Sequence, residues 1–158
     1  KEQVIGIYTG AITDWKDVGG TSGEIYVVNK AEGRATLTVF LEHFKLKNSA
    51  IVARAVVGDN AQGVRMVAGN PAAVGYVSIG EALSAAARGE ELHLVALDGI
   101  AATEHTVADG TYPLRRTLNL LFPGTIDALG QRILEHLASP RGSEILTELG
   151  FTPLGLAE

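Results

Sequence analysis

The sequence predicts an α/β protein in which a mainly parallel sheet is flanked by helices. Residues 25–97 alternate between short β-branched or aromatic runs and segments with helical periodicity. The run Ile25–Val28 has the composition of a parallel strand that is buried on both faces. A strand followed by a helix and then by another strand requires a crossover connection, which makes neighbouring strands parallel.

Composition limits the function classes. The 158 residues are 46% apolar and 20% charged, which fits one globular domain, or one lobe with part of another. The net charge of −5 argues against a nucleic-acid-binding surface. The absence of cysteine excludes disulfides and thiolate metal sites, and no apolar run approaches the roughly 20 residues that span a bilayer.

Periodicity and turn residues predict the elements in chain order. Residues 1–8 have the pattern of an amphipathic helix without an N-cap residue before it, so we expect the chain to be a piece of a larger protein. The predicted strands are 25–29, 51–57, 74–78, 93–97 and 115–122, with Arg54 indicating an edge strand or one exposed face. The later predicted helices are 34–46, one that begins at Asp59 or Asn60, 80–88, one capped by Thr125, and 140–149. Residues 11–23 and 99–110 are predicted loops, and 151–156 an apolar tail.

The segment from Lys30 to Thr36 combines a strand end, a glycine-containing turn and a helix start. The first N–H groups of a helix have no intrahelical partners, and together with the helix dipole they favour an anion. Lys30, Arg34 and the Thr36 hydroxyl add charge and hydrogen bonds at the same place. The same residues also fit an ordinary turn with solvated charges, because one glycine is a far weaker signal than a complete phosphate-loop pattern.

A second strand-to-helix turn lies at residues 58–60. If both strands belong to one sheet, both helix N-termini lie at the same edge, which makes Asp59 and Asn60 second-rank ligand candidates. No nucleophile–base arrangement is present, and the histidines have no metal-ligand spacing. The four are His43, His93, His105 and His136. The sequence therefore predicts no catalytic residue, no metal site and no cofactor.

Five stretches resemble the phosphate-binding proteins of ABC phosphate importers, which belong to the type II periplasmic-binding-protein superfamily. They are residues 7–20 (IYTGAITDWKDVGG), 28–36 (VNKAEGRAT), 70–78 (NPAAVGYVS), 112–116 (YPLRR) and 139–154, which begins SPRG and ends LGFTPL. These stretches follow the order found in the family and span almost the whole chain.

The resemblance implies a fold of two α/β lobes that close on an oxyanion, with this chain truncated at its N-terminus. Residues 1–98 correspond to the anion-binding lobe, 99–112 to the crossover, and 113–158 to the C-terminal, helical part of the other lobe. The family's anion loop falls on ligand-binding candidates Lys30, Gly33, Arg34, Ala35 and Thr36.

The loop departs from the family pattern at three of these positions. Lys30 stands where the family has arginine, Arg34 replaces serine and Ala35 replaces glycine. Lysine lacks the planar fork with which arginine binds two oxygens at once, and Arg34 can supply that fork from one helical step away. The Ala35 methyl limits how closely a ligand approaches the backbone.

The function expected from the resemblance is that of an extracytoplasmic substrate-binding component of an ABC importer. It would bind inorganic phosphate or a related tetrahedral oxyanion and deliver it to ABC permease membrane subunits, without catalysis. The alternative is a sensor or interaction domain that keeps the same fold but does not serve transport. Strand 115–122 and the apolar faces of the last two helices would lack cover in this chain alone. We therefore expect this segment either to pair with a second copy or to fold back onto residues 1–98, and we favour a two-fold homodimer of the fragment.

Overall fold

The computed structural model describes residues 1–153 and has a three-stranded parallel sheet at its centre. The strands are β1 (Tyr26–Lys30), β2 (Ala55–Val57) and β3 (Ala73–Val74), in the order β2-β1-β3. Residues 28–30 pair with 55–57, and residues 26 and 27 pair with 73 and 74. This arrangement confirms the predicted α/β class, and β2 is an edge strand, as Arg54 just before it indicated.

Seven helices accompany the sheet within the described residues. They are α1 (Glu2–Tyr8), α2 (Ala35–Phe44), α3 (Asn60–Ala68), α4 (Ile79–Ala87), α5 (Glu104–Ala108), α6 (Ala128–Ala138) and α7 (Pro140–Glu148), with short 3-10 turns at Trp15–Val18 and Asn48–Ala50. None of these helices is long and apolar enough to cross a bilayer. Residues 154–156 of the predicted apolar tail 151–156 lie outside the described part of the chain, as do residues 154–158 of the predicted segment 113–158.

Two strand predictions are wrong. Residues 93–97 form no strand and make only a local antiparallel bridge between Leu97 and Ile100. Residues 115–122 are also not a strand, and their backbone makes no hydrogen bond to another backbone group within residues 1–153. A β-rich run becomes a strand only when a neighbouring strand accepts hydrogen bonds from its N–H groups and donates to its C=O groups, and neither run has such a neighbour in the described chain.

Smaller corrections concern element boundaries. The predicted strand 51–57 shortens to β2, the predicted strand 74–78 shares only Val74 with β3, and α5 occupies part of the predicted loop 99–110. The α5 helix begins with a capping box between Thr103 and Thr106, a local signal that periodicity does not detect in five residues. Asp127 caps α6 instead of Thr125, whereas Asp59 caps α3 as predicted.

The core lies between the sheet and α1, α2 and the segment around α5. Its buried members are Ile7, Tyr8, Ile25, Val27, Phe40, Phe44, Leu97, Ala102 and Tyr112. The aromatic rings carry much of this packing, with Phe40 stacked on Tyr76 at 4.1 Å between ring centroids. Because Ala102 and Tyr112 are part of this core and Leu114 packs against it, we refer to residues 1–114 as the lobe.

The remaining described residues, 115–153, form what we call the arm. Its helices α6 and α7 pack on each other, and it meets the lobe where Gly150 lies against Gly80 of α4. Eight large apolar side chains of the arm are 42–90% exposed. They are Leu118, Leu120, Leu121, Ile126, Leu129, Ile133, Leu149 and Phe151.

Candidate functional site

The two predicted turns are neighbours at the carboxyl edge of the sheet. Lys30 at the end of β1 pairs in register with Val57 at the end of β2. One residue further, the Ala31 N–H donates to the Val57 carbonyl at 2.9 Å. The turn that leads into α2 and the turn that leads into α3 therefore begin side by side, which is the edge where parallel sheets place ligands.

The turn into α2 offers free backbone donors. Gly33 has a φ of +78°, a left-handed conformation that glycine adopts without strain. Arg34 is the N-cap residue and has an extended backbone, but its side chain does not cap the helix. Within residues 1–153, the N–H groups of Ala35 and Thr36 have no hydrogen-bond acceptor. Gly33 and Arg34 are exposed and the next two residues half-buried, so these donors lie at an accessible helix N-terminus.

The Arg34 side chain connects the two turns. Its Nη2 lies 3.7 Å from the position that a Cβ on Gly58 would occupy. A guanidinium in this place puts its planar set of donors between the N-termini of α2 and α3. The absence of a side chain at Gly58 keeps that space open.

Lys30 takes a different position from Arg34, because it is only 2% exposed. The alternation of β1 directs its side chain to the α3 side of the sheet, where Nζ donates to the Asp59 carbonyl at 2.5 Å. No described carboxylate forms an ion pair with it. Burial lowers the pKa of the Lys30 ammonium, and nearby Arg34 also lowers it, while Asp59 opposes the shift. The Lys30 ammonium therefore lies in the interior of the protein next to the second turn and is not exposed at the surface of the site.

The second-rank candidates Asp59 and Asn60 are engaged within the protein. The Asp59 carboxylate accepts the Gln62 N–H at 2.7 Å as the N-cap of α3. The Asn60 amide donates to the Ser78 hydroxyl at 3.0 Å, and Ser78 is the N-cap of α4. A third helix N-terminus thus lies beside the first two, at the same edge.

Sequence reasoning missed a set of polar residues behind the first turn. The Tyr76 hydroxyl donates to the Asn29 side-chain oxygen at 2.6 Å and accepts the Lys30 N–H at 3.4 Å. Asn29 is 5% exposed and donates to Asn48, which donates to the Glu32 carboxylate. Burial raises the pKa of Tyr76 to about 12, so its hydroxyl stays protonated at neutral pH. An asparagine at the end of an apolar strand was the one sequence signal for this set.

Tyrosine hydroxyls also complete the edge of β1 beyond the short strand β3. The Tyr8 hydroxyl donates to the Val28 carbonyl at 3.4 Å, and the Lys30 N–H uses the Tyr76 hydroxyl. Both backbone groups point to the side on which β3 has already ended. The carboxyl half of β1 is therefore satisfied by side chains where a longer β3 would have paired with it.

Two surface cavities lie away from the turns. One, of about 260 Å³, opens at the amino edge of the sheet and is lined by Glu24, Tyr26, Arg54 and Asn70 among others. The other, of about 290 Å³, belongs to the arm and is lined mainly by apolar residues between Phe122 and Ile133. Neither contains a sequence-predicted site residue. Among residues 1–153, no group of three His, Asp or Glu side chains could hold a metal ion.

The arrangement of the turns suits anion binding. It combines free helix N–H groups, an exposed guanidinium and a buried ammonium, all of which stabilise negative charge. The nearby carboxylates of Asp59 and Glu32 already accept hydrogen bonds from the protein.

The comparisons with known proteins identify the family and the fold. Residues 1–137 match the family described as a PBP superfamily domain. The phosphate-binding protein PstS 2 of Streptococcus pneumoniae is 31% identical over 140 residues, which cover 82% of this chain and 45% of that protein. The phosphate-binding protein PstS of Bacillus subtilis is 25% identical over 156 residues, which cover 98% of this chain and 50% of that protein. The chain thus spans about half the length of these curated relatives.

A solved structure shows the same fold. A Clostridium perfringens protein, described as a substrate-binding protein of a phosphate ABC transporter and crystallised with bound phosphate, superposes with a TM-score of 0.73. The match covers 96% of this chain and 61% of that protein, at 24% identity. At this identity the similarity establishes the architecture alone.

Proposed function

This chain belongs to the PBP superfamily domain family, and we propose that it supplies the anion-binding lobe of an ABC importer's phosphate-binding component. One observation carries the proposal: the two helix N-termini meet at one sheet edge, with the Arg34 guanidinium between them. The relatives named phosphate-binding proteins support phosphate as the ligand.

We propose a capture mechanism without covalent chemistry. The N–H groups of Ala35 and Thr36 and the Thr36 hydroxyl bind oxygens of the anion, and Arg34 supplies the bidentate fork. Gly33 allows the chain to turn without a side chain in the way. Lys30 contributes charge from below and holds the β1 end against α3 through its bond to the Asp59 carbonyl.

The remaining expectations form part of the same proposal. In the intact protein, residues 1–98 form the anion-binding lobe, residues 99–112 form the crossover, and residues 113–158 form the C-terminal part of the other lobe. The intact protein works outside the cytoplasm, passes its ligand to ABC permease membrane subunits and catalyses no reaction. Ala102 and Tyr112 pack into the core of residues 1–114, which supports a crossover that lies against the anion-binding lobe.

Arg34→Ser in the intact protein tests the site. Loss of one charge-assisted pair should weaken the binding of inorganic phosphate by about 1.5–3 kcal/mol, measured by calorimetry. Arg65→Ser is the matched control, because Arg65 is exposed on α3 and the substitution removes the same charge. Equal losses in both variants, or none in Arg34→Ser, would exclude Arg34 as a ligand. Parallel titrations with sulfate show whether phosphate is preferred over another tetrahedral oxyanion.

For the isolated chain we propose the two-fold dimer expected from its sequence. The eight exposed apolar side chains of the arm and its unpaired segment 115–122 are the supporting observations. A closed symmetric pairing would cover both copies at once. Light scattering at micromolar concentration should give twice the monomer mass. A monomer with an ordered arm would contradict the dimer.

A further inference from the structure

Five hydrogen-bonding groups form a chain that starts and ends at the anion-binding turn. The Lys30 N–H donates to Tyr76, the Tyr76 hydroxyl to Asn29, the Asn29 amide to Asn48, and the Asn48 amide to Glu32. Lys30 and Glu32 are two residues apart in sequence. We call this set, which closes around Ala31, the hydrogen-bond ring.

The ring has a direction. Every donor in it points toward the Glu32 carboxylate, so the successive dipoles align and end on a negative charge. Its bonds measure 3.4, 2.6, 3.3 and 3.0 Å from the Lys30 N–H to Glu32. The last bond has an ionised acceptor, which makes it stronger than a neutral one.

The ring is anchored in the core. Asn29 is nearly inaccessible, and the Tyr76 ring stacks on Phe40, one and a half turns into the same helix whose N-terminus forms the turn. Asn48 belongs to the separate 3-10 turn Asn48–Ala50. The position of Glu32 is therefore set by β1, α2 and this 3-10 turn together.

We propose, resting on the function proposed above, that Asn29, Asn48, Tyr76 and Glu32 are positioning residues for anion binding. They hold Gly33 to Thr36 in place without contacting the ligand. The presence of Glu32 next to an anion site is otherwise unfavourable, because a carboxylate repels a bound anion. In the ring, the same carboxylate accepts the last hydrogen bond, which Asn48 donates.

Two substitutions of Glu32 separate a positioning role from simple charge repulsion. For Glu32→Ala, the two explanations predict changes in phosphate affinity of opposite sign. Glu32→Gln removes the charge but keeps a side-chain oxygen for Asn48, so phosphate binding should stay equal or become tighter. Glu32→Ala removes charge and acceptor together, and binding should weaken about fivefold, the equivalent of one ordinary hydrogen bond. Glu42→Ala and Glu42→Gln are the charge-matched controls, since Glu42 is exposed at the far end of α2.

Asn48→Ala should weaken binding at least as much as Glu32→Ala, because it removes two bonds of the ring and keeps the repelling charge, and the double variant should be no worse than Asn48→Ala. Such non-additivity is expected when two residues act through one bond. Calorimetry of the intact protein with inorganic phosphate measures all these variants. If Glu32→Ala binds phosphate as tightly as Glu32→Gln, the positioning role is wrong.

A second readout does not depend on the ligand. The N–H groups of Arg34, Leu37 and Thr38 are hydrogen-bonded within the turn, so amide hydrogen exchange there should speed up in Asn48→Ala and Glu32→Ala but not in Glu32→Gln or the Glu42 controls. If the intact wild-type protein binds no phosphate while these exchange rates change as stated, the proposed function fails and the ring's role in holding the turn stands. Unchanged exchange in Asn48→Ala would overturn the ring itself.

Discussion

The lobe and the arm have similar apolar patterns in sequence, but the large apolar side chains are mostly buried or half-buried in the lobe and mostly exposed in the arm. In the lobe, Phe40, Phe44 and Tyr8 are each at most 3% exposed and pack ring against ring. In the arm, Leu121 is 90% exposed and Leu129 63%. The difference lies in the neighbours: the lobe contains a sheet onto which its helices pack, whereas α6 and α7 have mainly each other. An apolar stripe therefore predicts a helix or strand, but it does not predict burial within the same chain.

The largest effect is expected when an apolar side chain is truncated in the lobe and, for comparison, in the arm. Phe40→Ala should lower the free energy of unfolding by about 3–5 kcal/mol, because it leaves a cavity in the aromatic core. Leu121→Ala should change the free energy of unfolding of the monomeric chain by no more than about 0.5 kcal/mol, as for an exposed site. Urea unfolding followed by fluorescence of Trp15 measures both. Comparable losses would mean that the arm is packed as tightly as the lobe in solution.

A smaller effect is expected where the two regions touch. A Cβ on Gly80 would lie 2.6 Å from the Gly150 Cα, and backbone cannot move aside as a side chain can. Gly80→Ala should therefore weaken the attachment of the arm by about 1–3 kcal/mol, although alanine by itself favours a helix. Limited proteolysis within 115–127 should become faster while the lobe unfolds at the same urea concentration or higher. Unchanged cleavage would show that this contact does not hold the arm.

The smallest expected effect concerns His43. Its Nε2 atom is buried and has no hydrogen-bond partner within the described residues. Burial lowers the pKa of His43, and nearby Lys1 lowers it further. Between that lowered pKa and the ordinary value of 6.5, the unfolded chain binds more protons than the folded one. Stability should therefore fall as pH drops below about 6.5.

His43→Leu should reduce this loss. The urea midpoint of the variant relative to that of the wild type should be higher at pH 5 than at pH 8. His93→Leu, which replaces an exposed histidine of the lobe, is the control. The same pH dependence in both variants would assign the effect to another group.

The extent to which sequence predicts this molecule follows the same division. Local signals were sufficient for α2, α3, α4 and α7, because the apolar face of each helix, and the N-cap residues of α3 and α7, lie within a dozen residues. They failed for 93–97 and 115–122, because strand formation depends on a neighbour elsewhere. The side-by-side placement of the two turns followed from parallel pairing alone.

Side-chain depth at the site was beyond sequence reasoning. Lys30 and Arg34 have the same charge and lie four residues apart, yet one is buried beneath the turns and the other exposed between them. Strand alternation and the open space at Gly58 make this difference. The hydrogen-bond ring was equally hidden, since its members come from three separate parts of the sequence.

The tyrosine closure of β1 has a consequence for the protein's behaviour at high concentration. Open strand edges recruit strands from other molecules and start aggregates. Although β3 covers only two residues of its neighbour, Tyr8 and Tyr76 occupy the Val28 carbonyl and the Lys30 N–H that would otherwise be exposed. An incoming strand would have to displace two packed aromatic rings before it could form a first backbone hydrogen bond. The short β3 therefore does not leave β1 with an unpaired backbone edge that would promote aggregation.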